Sequence, residues 1–140
     1  MAKVVIDASL AVAWCYVDEH TQYTNGVLEK VGRTVDPIAP ELWAYEVRNS
    51  ILMGMKRGRT TLEGARTLMA FLNELDVHLS EPASHDAVFE LAQAYGLTVY
   101  DAAYLDLAIR ERAPLASLDD VLRKAARRAG VPLFDVPHIS

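Results

Sequence analysis

Apolar positions along the chain fall into short blocks that alternate with helical stripes. Val4–Ile6 is a β-branched apolar run ending at Asp7, and it predicts a buried strand. Ser9 opens a short helix over Leu10–Tyr16, and Thr21–Val31 reads as a second helix stopped by Gly32. Val35–Ala39 is strand-like, with Pro37 and Pro40 suiting a strand end better than its centre. Glu41–Lys56 carries the strongest helical period: Leu42, Trp43, Glu46, Val47, Asn49, Ser50 and Met53 fall near one face, and Gly58 ends it. Thr61–Leu75 repeats the pattern with Leu62, Ala65, Leu68, Met69 and Leu72, capped by Thr60 or Thr61. Val77–Leu79 predicts a short strand, and Ser84–Tyr95 a helix stopped by Gly96. Leu97–Tyr100 reads equally as strand or loop. Asp101–Arg112 is helical with Tyr104, Leu105, Ala108 and Ile109 inward; Leu115–Leu118 is a strand, Asp119–Ala129 a helix, and Val131–Val136 a last strand.

Short apolar strands alternating with helices imply an α/β fold, with a mostly parallel sheet covered on both faces and right-handed crossovers. Ligands in such sheets bind beyond the carboxyl ends of the strands. At 140 residues and 51% hydrophobic, the chain suits one domain over residues 1–140 with a real core. Neither a secretory leader nor a membrane span is expected. Cys15 stands alone, so no internal disulfide forms and a reducing cytoplasm fits. His20, His78, His85 and His138 are scattered, away from zinc-site spacing.

The net charge of −5 argues against coating nucleic acid by charge alone. Of 14 basic residues, ten fall in two windows, Lys56–Arg66 and Arg110–Arg128, so phosphate can still be held locally. Taken alone, both zones read better as solvated helix faces.

The acids sharpen the picture. Asp7 follows the first strand and Asp119 follows Leu115–Leu118, so a parallel sheet places both at one edge. Asp101 begins the helix that leads back into that later strand. Glu46 sits among Leu42, Trp43, Val47 and Met53, where amphipathic patterning calls for no carboxylate. Each has an ordinary alternative: Asp7, Asp101 and Asp119 can cap helices, and Glu46 can pair with a basic neighbour, although Arg48 points elsewhere on the helix. Together, like charges at one edge repel, and a buried carboxylate is costly unless paired or ligated. A hard divalent cation such as Mg²⁺ or Mn²⁺ resolves this, and phosphodiester hydrolysis is the chemistry it supports. No glycine-rich phosphate loop or serine–histidine–acid pattern competes.

Four segments then resemble the PIN-domain family, and within it the VapC-type toxins of toxin–antitoxin pairs. Val4-Val5-Ile6-Asp7-Ala8-Ser9 is similar to the family's opening strand, first acid and nearby hydroxyl. Pro40–Asn49 resembles the segment with the second acid, Glu46, and Asn49. Thr98–Leu105 matches the third, Asp101, and Leu115–Asp119 the fourth, Asp119, with Ser117 where threonine is frequent. Asp120 is an acidic neighbour; Asp119 is preferred because it directly follows the strand.

The resemblance implies a three-layer α/β/α sandwich with strand order 3-2-1-4-5, in which Leu97–Tyr100 is a lead-in to a helix. It implies catalytic and metal-binding roles for Asp7, Glu46, Asp101 and Asp119, with Ser9, Asn49 and Ser117 in support. It further implies Mg²⁺ or Mn²⁺ dependence, an RNA substrate of the transfer or ribosomal class, a homodimer, and an antitoxin whose segment blocks the site. Lys56, Arg57 and Arg59 are the expected RNA contact. They end the helix carrying Glu46, roughly 15 Å along its axis, with Gly54 and Gly58 leaving the backbone open.

Three other readings stand beside this one. A phosphoryl-transfer protein also places an Asp after its first strand, but a phosphatase of that type wants a second Asp where Ser9 stands, and a receiver wants a late lysine absent from Val131–Ser140. A PIN fold serving only as an RNA-binding module would not need all four acids. A housekeeping RNA-processing nuclease shares every motif.

Overall fold

The computed structural model describes residues 1–136; His138 lies outside them. Strand β1 (Ala2–Ile6) leads into helix α1 (Ala8–Cys15), a 3₁₀ turn (Val17–Glu19) and α2 (Gln22–Lys30). Strand β2 (Val35–Pro40) is followed by α3 (Leu42–Lys56) and α4 (Leu62–Glu74), and β3 (His78–Ser80) by α5 (His85–Tyr95) and α6 (Val99–Glu111). Strand β4 (Leu115–Ala116) and α7 (Asp120–Arg128) complete the order. All strand pairs are parallel, in the order β3-β2-β1-β4.

The layers follow from that order. Moving outward from β1 to β2 to β3, right-handed crossovers put α1 to α4 on one face; the return from β3 to β4 puts α5, α6 and α7 on the other. The packing agrees: α1 contacts α2 and α3, α3 contacts α4, and α6 contacts α5, α7, β1 and β2. Val4, Val5 and Ile6 are fully buried between these layers, as a central strand covered on both faces requires. The result is the three-layer α/β/α sandwich. Among the described residues no helix is long and apolar enough to cross a membrane.

Several boundaries differ from the pattern. The fifth strand expected over Val131–Val136 shrinks to a single parallel bridge, Leu115 with Leu133, at the outer edge of β4. Two hydrogen bonds hold it: the Leu115 N–H donates to the Pro132 carbonyl and the Phe134 N–H to the Leu115 carbonyl. Pro132 has no N–H to extend the ladder. β4 itself stops at Ala116, which lies opposite Ile6, the last residue of β1, and Leu118 is exposed. Pro37 lies inside β2, opposite Val4; β3 begins only opposite Ile38, so no neighbour on that side calls on the missing N–H.

Helix α6 starts at Val99, two residues before the predicted Asp101, because Thr98 is its cap and accepts from the Asp101 N–H at 3.0 Å. Leu97–Tyr100 is therefore a lead-in and first turn. Helix α1 likewise starts at Ala8, with Asp7 as its cap. The buried stripe of α3 is Trp43, Val47, Ile51 and Gly54, while Asn49 is exposed on its flank. Leu62 and Ile109, expected inward, are exposed at 53% and 43%; both lie near helix ends beyond the reach of the sheet. Thr61, rather than Thr60, caps α4.

Candidate functional site

The crossover from β3 back to β4 makes β1 and β4 neighbours whose following helices leave on opposite faces. Their carboxyl ends therefore frame a crevice, and Asp7 and Asp119 sit at it. The Asp7 N–H donates to the Ala116 carbonyl at 3.2 Å, which fixes the end of β1 against β4. Only 4% of Asp7 is exposed. Its Oδ1 accepts from the Leu10 N–H at 3.0 Å, capping α1, and the Ser9 hydroxyl reaches both carboxylate oxygens at 2.7 and 2.9 Å. The fully buried Ser117 hydroxyl donates to Oδ2. Each serine also accepts: Ser9 Oγ from the Leu118 N–H at 3.1 Å, Ser117 Oγ from the Asp119 N–H at 2.9 Å. Capping and site membership are thus compatible at Asp7. At Asp119 the same holds, with Oδ1 accepting from the Leu122 N–H at 3.0 Å.

Glu46 is half-buried and accepts a 2.6 Å hydrogen bond from the Tyr104 hydroxyl, not from any basic residue. Arg48 does point away, donating to the Ala44 carbonyl and the Asn73 side chain. Asp101 stands in the first turn of α6, one turn before Tyr104.

The electrostatics tie the four acids together. Burial pushes the carboxyls of Asp7, Glu46 and Asp101 above their ordinary range. The charge of Asp119 adds to the rise at Asp7 and Asp101, and the charges of Asp101 and Asp7 add to it at Glu46. Hydrogen bonds from Ser117, Ser9 and the Leu10 N–H oppose the rise at Asp7, as Tyr104 does at Glu46.

A divalent cation fits this donor set. The ligands are hard carboxylate oxygens, and ionising them together is penalised by burial and repulsion, a penalty that such a cation relieves. Among the described residues, no Lys, Arg or His lies within 4.0 Å of any of the four carboxylates to do the same. Nor, among those residues, do three His, Cys, Asp or Glu side chains converge into a ready-made cage. Asp7, Glu46 and Asp119 are instead turned toward neutral donors. Burial pushes the Cys15 thiol up to about 11, so it is no thiolate nucleophile at neutral pH.

The PIN domain family's sequence pattern matches residues 4–128. The chain belongs to the PIN-domain family. It is 35% identical over 121 residues to Ribonuclease VapC3 of Pyrobaculum aerophilum, spanning 84% of this chain and 89% of that protein. The crystal structure of PAE2754 from Pyrobaculum aerophilum has a similar fold, with a TM-score of 0.71 at 21% identity over 89% of this chain and 84% of that one.

In this PIN domain a cleft runs from Glu46 along α3; of the four acids Glu46 alone lines it. Ser9, Glu46, Asn49 and Ser50 line its first part, of about 410 Å³, and Asn49, Ser50, Met53, Arg57 and Arg59 the next, of about 270 Å³. Lys56 and Arg57 are exposed at its far end. Arg59 is committed elsewhere: it pairs with Asp18 at 3.0 Å and Glu19 at 2.9 Å, and lies 3.8 Å over the Tyr16 ring. Gly54 does not leave the backbone open, because it packs against the Tyr16 hydroxyl; Gly58 is open.

Two contributors escaped the pattern of the PIN domain's sequence. Tyr104 reads as one more inward apolar residue; only its place one turn after Asp101 hints at a partner for an acid. Glu19, which faces both parts of the cleft, lies in a 3₁₀ turn with no periodic signal.

Proposed function

We propose that this PIN domain, with residues 1–140 as one nuclease unit, is a metal-dependent endoribonuclease and the toxin of a VapBC-type pair. The observation that carries the reading is Asp7: buried at the switch point of the sheet, held only by neutral donors, its carboxyl pushed up by that burial with the charge of Asp119 adding to the rise. The likeness to Ribonuclease VapC3 over nearly the whole chain supports RNA as the substrate.

Asp7, Glu46, Asp101 and Asp119 would hold Mg²⁺ or Mn²⁺, and such an ion, when bound, would supply Lewis-acid chemistry for phosphodiester hydrolysis. The chain's own residues do the rest. Ser9 and Ser117 fix the rotamer of Asp7 and keep its oxygens ionisable in spite of burial. Tyr104 does the same for Glu46. Asn49, on the exposed flank of α3, faces the cleft and orients the RNA backbone. Lys56 and Arg57 draw the flanking strand toward an otherwise acidic protein. The VapB-type antitoxin carries an Arg or Lys into the acids, replacing the ion's charge; a homodimer working in the cytoplasm completes the reading.

RNA cleavage by the purified chain in Mg²⁺ or Mn²⁺, silenced by EDTA and by Asp7→Asn, is the expected result. Metal-independent cleavage that survives Asp7→Asn overturns it. Growth arrest on expression alone, relieved by a co-expressed antitoxin, tests the toxin role.

A further inference from the structure

A second cavity, of about 810 Å³, is larger than either part of the cleft along α3. It opens on the other side of the Ser117–Asp119 turn, between α7, the first turn of α2 and the segment after Gly130. Two half-buried aromatic residues form its wall: Tyr23 and Phe134, joined by a 2.9 Å hydrogen bond from the Tyr23 hydroxyl to the Phe134 carbonyl. Two arginines of α7, one turn apart, face it. Arg123 is anchored by a 3.0 Å hydrogen bond from Nη1 to the Ser117 carbonyl, with its guanidinium carbon 5.8 Å from the Tyr23 ring centre. Arg127 is exposed. Among the described residues neither arginine has a carboxylate within 4.0 Å.

Asp120 and Asp135 share the lining, so the cavity is electrically balanced and does not gather polyanions by net charge. One Asp135 oxygen is taken by the Val136 N–H at 2.9 Å. What the cavity offers is directional: two aromatic rings in its wall, and guanidinium N–H donors for a phosphate beside them. That combination suits a nucleotide. Its position suits one nucleotide in particular. Ser117 belongs to both the cavity wall and the Asp7 network, and the charge of Asp7 is felt at the Tyr23 hydroxyl.

We propose that this cavity is a nucleotide subsite, in which Tyr23 and Phe134 stack the base next to the scissile phosphate and Arg127, with Arg123, holds that nucleotide's own phosphate. The assignment of the nucleotide to an RNA substrate rests on the ribonuclease reading above; the affinity of the cavity does not. RNA would then cross the turn at Ser117, with one neighbour in the α3 cleft and the other here. The α7 cations, which the sequence leaves as solvated charge, acquire a ligand.

The test is a proton NMR titration of the full chain in EDTA with adenosine 5′-monophosphate. The ring signals of Tyr23 and Phe134 should shift. The midpoint should weaken about tenfold in Phe134→Leu and about fivefold in Arg127→Ala, the size expected for loss of a stacking face and of a charged hydrogen bond. Ring signals that stay put, or a midpoint unchanged in either variant, overturn the subsite. Cleavage assays separate this from the ribonuclease reading. An RNA one nucleotide too short to fill the cavity should raise KM in the parent but not in Phe134→Leu, with kcat held. Cleavage without that coupling and without an AMP response removes the subsite and leaves the ribonuclease. An AMP response with no cleavage removes the ribonuclease and leaves the subsite.

Discussion

Tyr104 donates a 2.6 Å hydrogen bond to Glu46 across 58 positions of sequence, joining α6 to α3 through the acidic site. The tyrosine is 2% exposed, and burial and the adjacent carboxylate hold its pKa far above the ordinary value. It acts as a fixed donor. In Tyr104→Phe the fold should lose about 1 kcal/mol. Glu46, already raised by burial, loses the bond that opposes the rise. The acid limb of the pH–rate profile should therefore move to higher pH, and an unmoved limb would show that Glu46 does not titrate in catalysis.

The raised carboxyls also set how stability depends on pH. A group whose folded pKa lies above its unfolded value binds its proton more tightly in the fold, so its contribution is best at low pH and worsens as pH climbs above the ordinary 3.8 to 4.5. Asp7, Glu46 and Asp101 all share this sign. The metal-free triple variant Asp7→Asn, Glu46→Gln, Asp101→Asn should melt higher than the parent at pH 7, with the gap closing toward pH 4. A gap that is constant with pH would contradict the assignment. Asn is the right replacement at position 7, because alanine also removes the cap of α1 and costs about 1 kcal/mol more.

Cation binding should reverse that penalty. Titrating Mg²⁺ or Mn²⁺ into the parent at pH 7 should raise Tm, since a ligand that binds only the folded state at about a hundred times its Kd adds roughly 2.7 kcal/mol. The triple variant should not respond. An equal response in both would place the ion elsewhere.

The basic residues at the end of α3 and just beyond it should divide into two behaviours. Lys56→Ala with Arg57→Ala should weaken RNA binding and flatten its salt dependence while leaving Tm alone. Arg59→Ala should lower Tm, because it frees Asp18, Glu19 and the Tyr16 ring at once. Melting curves and salt-dependent binding of the two variants, measured side by side, check this. A flattened salt slope in Arg59→Ala at unchanged Tm would restore Arg59 as an RNA contact.

Gly54→Ala offers a check on packing. Alanine favours a helix interior over glycine by about 1 kcal/mol, yet here the new methyl would collide with the Tyr16 hydroxyl. Thermal melting should show net destabilisation; a higher Tm would mean that Tyr16 moves freely.

How much was legible follows from where each signal is stored. The α/β class, the helix over Leu42–Lys56 and the strand before Asp7 were written locally, in periodicity and in β-branched runs. The four acids were visible because three stand at strand or helix starts and the fourth breaks an apolar face. Chain boundaries were less secure. Capping by Thr98 rather than Asp101, and the shrinkage of Val131–Val136 to one bridge, depend on which backbone N–H finds which acceptor.

By itself, then, the sequence determined that Glu46 carries charge into an apolar helix face, and that Asp7, Asp101 and Asp119 lie at element ends able to meet at one sheet edge. Only the tertiary structure decided their partners. That Asp7 is held by Ser117 from 110 positions away, that Glu46 meets Tyr104 rather than a cation, and that Arg59 is locked to Asp18 and Glu19 all depend on long-range packing. Periodicity fixes the face on which a side chain stands, but a hydrogen bond depends on what the fold brings opposite it, and no local pattern records that.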